Sequence, residues 1–186
     1  MLDTIFGLPV HPLIVHATTV VVPAAAVSVL LSAVWPRFRR WAAWMPLALS
    51  VLAVVLTPLS TESGESLERR VEHSDLIETH SQLAEGLLPW VIGLAIAAVL
   101  LFVVARQERR AAPTVAPSAS AADPTDETPA RTSLVPRRLL VVGAVVGLVA
   151  ALGTTVQVVR IGHSGAQAAW SDSVSQAPAP GGDDGN

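Results

Sequence analysis

The chain has 186 residues, of which 51% are hydrophobic and 15% charged, with a net charge of −3 at pH 7. This composition is too apolar for an ordinary soluble domain. The sequence contains no cysteine and no lysine, which excludes disulfides, thiolate metal sites, cysteine nucleophiles and lysine chemistry. We expect no nucleic-acid partner.

Four long segments contain no Asp, Glu, Lys or Arg, and they cover residues 12–35, 41–60, 86–105 and 139–159. A bilayer core of about 30 Å is crossed by about 20 helical residues, so each segment is long enough to span it. Backbone groups in the bilayer have no water to bond, and the segments should therefore be helices. The predicted fold is an all-α, integral membrane four-helix bundle. The first segment is expected to stay in the mature chain, because Asp3 and no basic residue precedes it.

The arginines predict the orientation of the bundle. All twelve basic residues are arginines, and nine lie between the first and second or the third and fourth segments. The positive-inside rule makes those two connections cytoplasmic. Both termini and an acidic outer loop, residues 61–85, then face outward from the cell (plasma) membrane.

Composition also divides the chain into regions. Residues 1–106 hold the first three membrane helices, and 137–170 hold the fourth helix with an outer histidine motif. The connection 107–136 and the tail 171–186 are rich in Ala, Pro, Ser, Thr or Gly without periodicity, which predicts disorder.

All five histidines fall on the predicted outer side: His11, His16, His73, His80 and His163. The segment "HSDLIETHSQLAEGLL" has helical periodicity, with His73, Leu76, Ile77 and His80 on one stripe and acidic residues opposite. We therefore expect the third membrane helix to extend outward, with His80 turned toward the bundle.

Histidine spacing argues against a ligand pair within one helix. His73 and His80 are two turns apart, about 10 Å, which is too far to share one small ion. His11 and His16 are separated by five positions with Pro12 between them, so they do not share a face. A cofactor site must be assembled across helices, and the natural set is His16, His80 and His163.

Three separated motifs resemble those of the bacterial membrane family called domain of unknown function 2231. They are "GLPVHPLIVH", "ESGESLERRV" followed by "IETHSQLAE", and "IGHSGAQAAW". The resemblance implies four membrane spans and supplies no reaction. It singles out His11, His16, Gly64, Glu65, His80, Gly162, His163 and Gly165. His73 matches no motif, and Ser164 stands where the family usually has a second glycine.

Three functional classes stay open. The first is a protein that binds b-type haem or a transition metal through His16, His80 and His163, with Arg160 available for an anionic group such as a haem propionate or lipid headgroup. The second is a non-catalytic membrane module, either a partner subunit or a pH-responsive sensor, in which the histidines form a structural cluster. The third is hydrolysis with Glu65 as base near a metal.

The predicted partners are the lipid bilayer and either another membrane protein or a second copy of the chain. The "GAVVG" sequence at residues 143–147 matches the GxxxG pattern, which serves either close packing inside the bundle or dimerisation.

Overall fold

The computed structural model describes residues 4–5, 8–69, 74–111 and 137–175. Strands β1 (Thr4–Ile5) and β2 (Leu8–Pro9) form a two-residue antiparallel pair before the first helix. Six helices follow in these ranges: α1 (Val10–Val34), α2 (Pro36–Trp41), α3 (Met45–Glu68), α4 (Asp75–Glu85), α5 (Leu88–Ala111) and α6 (Arg137–Ser175). His73, most of the connection 107–136 and the end of the tail lie outside the described residues.

Four helical segments are long and apolar enough to cross a membrane: His11–Val34, Met45–Glu68, Asp75–Arg110 and Arg137–Trp170. The predicted all-α, four-span architecture is therefore confirmed. Which end of the bundle faces the cytoplasm stays a prediction.

The four long helices form a ring in which α1 packs against α3 and α6, and α5 packs against α6 and α3. Small residues from several helices lie in the buried core, including Ala25, Ala53, Ala97 and Ala150. Small side chains let helix backbones approach closely, which replaces the hydrophobic driving force that is lost in lipid. Larger residues such as Leu94 fill the remaining space.

The outer surface of the ring is apolar. Large hydrophobic side chains on α6 are exposed, among them Val145, Leu152 and Val159. Trp41 and Trp44 are also exposed and lie in the connection between α1 and α3. Exposed aliphatic faces with tryptophans near the helix ends are typical of contact with a bilayer and its interface.

The segment before α5 is a separate helix rather than a straight extension of it. A turn at Gly86 and Leu87 separates α4 from α5. Pro89 has no backbone N–H to donate to the Glu85 carbonyl, and this explains why the helix breaks here. The predicted helical segment before the third membrane helix is confirmed, and as the separate helix α4 it packs against α6 and α3. The side of the membrane on which it lies stays a prediction.

Two helices extend beyond the apolar segments that the sequence marks out. The α3 helix continues to Glu68, so the first third of the predicted acidic loop is helical. The α6 helix continues through the whole "IGHSGAQAAW" motif to Ser175. Both motifs are therefore helical, and the regular repeat of an α-helix determines which of their side chains face the bundle.

An ion pair joins the two halves of the chain at the end of the bundle opposite His11. Arg39 of α2 is 3% exposed. Its Nη2 lies 2.6 Å from Glu108 Oε1 of α5, and its Nη1 donates to the Ser32 carbonyl at 2.9 Å. The sequence suggests only that Arg39 sets orientation, whereas the structure gives it a buried partner.

Candidate functional site

A cavity of about 690 Å³ lies at the end of the bundle that carries His11 and His80, and we call it the histidine cavity. Side chains of α1, α3, α4 and α6 line it, and most of them are apolar or small, such as Val15, Val22 and Ile161. Three carboxylates, Glu65, Glu68 and Glu85, also line it. The chain thus surrounds an apolar space with a few polar groups, which is the usual composition of a ligand pocket.

His11 reaches the cavity from the start of α1 and is half-buried. Its Nδ1 lies 2.9 Å from Ser63 Oγ on α3. The Ser63 hydroxyl itself donates to the Ser60 carbonyl of its own helix at 3.0 Å. The next residue is Gly64, where an added Cβ would lie only 3.2 Å from His11 Cε1. Gly64 therefore leaves room for the imidazole to lie against α3.

His80 also lines the cavity and has the same kind of contact with another helix. It is half-buried on α4, and its Nδ1 lies 3.0 Å from Ser164 Oγ on α6. Ser164 donates to the Ile161 carbonyl at 3.0 Å. A Cβ at Gly165 would lie 3.0 Å from His80 Cε1. Ser164, which stands where the resemblance implies a second glycine, supplies the hydrogen-bond partner of His80.

Gln157 fixes the position of α4 on α6. Its side chain is buried, and its Nε2 donates to the Leu83 carbonyl at 2.5 Å. A Cβ at Gly86 would lie 2.8 Å from the same nitrogen, so glycine is needed for this approach. Gln157 and Ser164 are seven residues apart on one face of α6, and they contact Leu83 and His80 of α4 respectively. The two contacts together hold His80 at the cavity.

The other histidines of the predicted site lie elsewhere. His16 is exposed, and its Nδ1 bonds the Pro12 carbonyl of its own helix at 2.6 Å. His163 is exposed on α6 and does not line the cavity. Arg160 is also exposed and outside the cavity, whereas Glu65 lines it. The structure therefore brings His80 together with His11 rather than with His16 or His163.

No metal site is apparent in the described part of the chain. Within residues 8–69, 74–111 and 137–175, no group of three or more His, Cys, Asp or Glu side chains is arranged to hold a metal ion. The set His16, His80 and His163 stays a prediction that these side-chain positions do not support. His73 lies outside the described residues.

The sequence alone does not single out Ser63, and it marks Ser164 only as a departure from a motif. Gln157 was expected to be an anchor at the membrane interface. A signal was present, because the dipeptide Ser–Gly occurs in both "ESGES" and "HSGAQ". In each copy the serine bonds a histidine and the glycine makes room for its ring.

The GxxxG motif of α6 packs inside the bundle. A Cβ at Gly143 would lie 3.1 Å from Leu100 Cβ, and one at Gly147 would lie 3.0 Å from Val29 Cγ1. Both glycines therefore serve contacts with α5 and α1. The motif therefore supplies close packing within the chain, and dimerisation stays a prediction.

The sequence model of the family described as "Predicted membrane protein (DUF2231)" matches residues 7–178. The chain belongs to this family. The match covers nearly the whole chain, including both Ser–Gly dipeptides and all five histidines, and it confirms the resemblance inferred from the three motifs. No curated protein and no solved structure matches the chain.

Proposed function

We propose that this protein is a multi-pass membrane protein that binds an amphipathic small molecule in the histidine cavity. The observation that carries the proposal is the pair of half-buried imidazoles, from different helices, that border one apolar space. Polar groups near the membrane interior are costly, and those that persist usually have a function. Each imidazole is also supported by a serine from a second helix, which keeps its ring in a fixed orientation.

The size and walls of the cavity favour a ligand taken from the membrane. A volume of about 690 Å³ lies in the range of small-molecule pockets. Its walls include side chains of the membrane helices, such as Val22 and Thr57, so the cavity extends toward the depth of the apolar core. An apolar tail would contact these walls while a polar head meets His11 and His80.

A b-type haem is a second candidate, because His11 and His80 come from different helices and each contacts its serine through Nδ1, which leaves Nε2 for a ligand. Imidazoles of this kind are common haem ligands. The charges lining the cavity oppose haem, however. Its propionates would meet Glu65, Glu68 and Glu85, and no arginine of the described residues lines the cavity. A neutral or cationic ligand suits these carboxylates better.

The haem candidate has a direct test in the absorption spectrum of protein purified under mild conditions. We expect no Soret band. A band that disappears in His80→Leu and persists in His163→Leu would establish haem in place of another amphiphile. The comparison is matched because His163 is exposed on α6 and outside the cavity.

A steric block of the cavity tests the proposal itself. Gly162 lines the cavity, and nothing lies within 4 Å of a Cβ built there. A Gly162→Trp side chain can therefore enter the cavity without displacing the backbone. We expect it to reduce ligand binding by more than about tenfold, because a filled site rejects its ligand sterically.

The measurement is saturable photolabelling in nanodiscs by a neutral long-chain diazirine with a methyl ether head. The control is Val159→Trp, which adds the same side chain at a position that is 64% exposed on the outer face of α6. Wild type and Val159→Trp should be labelled on cavity-lining peptides, whereas Gly162→Trp should not. Labelling that does not saturate in the wild type would contradict the proposal.

We also propose that the histidine cavity opens outside the cell. The arginine bias supports this orientation, since Arg39 and Glu108 lie at the opposite end of the bundle together with most of the basic residues.

Cysteine labelling tests the orientation, because the chain has no cysteine of its own. A membrane-impermeant maleimide should label Glu78→Cys in intact cells, since Glu78 is exposed on α4. It should label Thr114→Cys only after the membrane is permeabilised. The reverse pattern would place the cavity at the cytoplasmic face.

A further inference from the structure

The two histidine contacts are close copies of each other. The imidazole-to-serine distances are 2.9 Å for His11 and 3.0 Å for His80, and both serines donate to a carbonyl three residues earlier at 3.0 Å. A glycine follows each serine and contacts the Cε1 edge of the ring. One copy joins α1 to α3, and the other joins α4 to α6. Two similar histidine–serine pairs therefore border the cavity.

The serines decide the role of each imidazole. A hydroxyl has one proton, and here it is donated to the helix carbonyl. The hydroxyl oxygen is then the acceptor, and Nδ1 of each imidazole is the donor. A neutral imidazole that carries its proton on Nδ1 has an unprotonated Nε2, which accepts a hydrogen bond. Both serine contacts use Nδ1 and leave Nε2 of each ring for other partners.

Besides several Ser and Thr hydroxyls, the described part of the lining contains carboxylates and no basic side chain other than the two histidines. Glu65, Glu68 and Glu85 are acceptors when ionised, and no arginine of the described residues lines the cavity. A ligand that offers only carbonyl or ether oxygens would leave both Nε2 atoms unpaired. An anionic ligand would be repelled by the carboxylates. A neutral molecule with hydroxyl donors can pair with both Nε2 atoms and is not repelled by the carboxylates. It can also dissolve in the bilayer.

We infer that the ligand of the histidine cavity is a neutral, lipid-soluble molecule with two hydroxyl groups, which donate to Nε2 of His11 and to Nε2 of His80. This inference rests on the proposed function, because it names the chemical class of the ligand in the same cavity. An alkylated hydroquinone carries two such donors on one apolar body. The oxidised quinone has nearly the same shape and only acceptors, so the cavity discriminates between the two forms.

The experiment measures how well three molecules compete with the methyl ether photoprobe in nanodiscs: decylhydroquinone, its dimethyl ether and the oxidised decylquinone. A neutral hydrogen bond contributes about fivefold in affinity, so two bonds give hydroquinone an advantage of about 25-fold over the dimethyl ether. The quinone should compete no better than the ether.

Single and double variants assign the two bonds. His11→Leu and His80→Leu should each reduce the advantage to about fivefold, and the double variant should abolish it. His163→Leu should keep the full advantage, because that side chain is exposed outside the cavity. Continued labelling by the photoprobe shows that each variant still forms the cavity.

The possible outcomes separate the two proposals. Equal competition by all three molecules, with saturable photolabelling intact, would overturn the diol assignment and leave a less selective amphiphile site. Stronger competition by the quinone would also overturn it, since the imidazoles would then be donors. Absence of saturable labelling in the wild type would overturn the proposed function together with the inference.

Discussion

Replacing Arg39 with methionine is expected to lower the free energy of unfolding by about 3 kcal/mol, which is the cost of removing one partner from a buried ion pair. The side chain of Arg39 is 4% exposed and that of Glu108 is 18% exposed. The substitution leaves the Glu108 carboxylate without its cation and the Ser32 carbonyl without a donor. Unfolding in detergent micelles, followed by circular dichroism, measures the effect.

The matched control is Arg40→Met, which removes the same charge from the adjacent, exposed position of α2. It should change stability by well under about 1 kcal/mol, because exposed charges contribute little. The double variant Arg39→Met with Glu108→Met should recover most of the loss, since no unpaired charge remains. Equal loss in the Arg39 and Arg40 variants would show that the ion pair does not hold α2 against α5.

Placing a side chain at Gly153 is expected to disrupt the contact between α5 and α6. A Cβ at this position would overlap Cε3 and Cζ3 of the Trp90 ring. Real Cβ atoms do not approach other atoms so closely, so the indole or one of the helices must move. We expect Gly153→Leu to cost about 3 kcal/mol or more, at the upper end for overpacked sites. The measurement is again unfolding in micelles.

Two further variants identify steric overlap as the cause. Gly153→Leu combined with Trp90→Ala should be more stable than Gly153→Leu alone, because the smaller residue at position 90 leaves room for the leucine. Gly162→Leu adds the same side chain to the same helix where nothing lies within 4 Å of the Cβ, and it should have little effect. Similar losses for the leucine substitutions at 153 and 162 would argue for a general helix effect instead.

The candidate site was predictable in part. The helical periodicity of "HSDLIETHSQLAEGLL" predicted that His80 faces the bundle, and the structure places His80 at the cavity. The predicted set contained His16 rather than His11. The structure leaves His16 exposed, where it bonds a carbonyl of its own helix, and places His11 at the cavity together with His80.

The buried polar contacts could not be predicted from the sequence. Gln157 precedes the last motif and was expected at the membrane interface, but its amide bonds the Leu83 carbonyl at the break between α4 and α5. That bond depends on how α4 packs against α6 before the turn at Gly86, which local periodicity does not specify. The serine partners of His11 and His80 lie 52 and 84 residues away along the chain.

The sequence by itself determined the number of membrane helices, the all-α class and the family. These follow from local properties, since the length of an uncharged segment and the absence of water in the bilayer decide that it is a helix. The tertiary structure alone decided which side chains share the cavity. A membrane helix that is apolar on all faces does not reveal its inward side, and that side is chosen by packing against small residues such as Gly64 and Gly165, which admit the rings of His11 and His80.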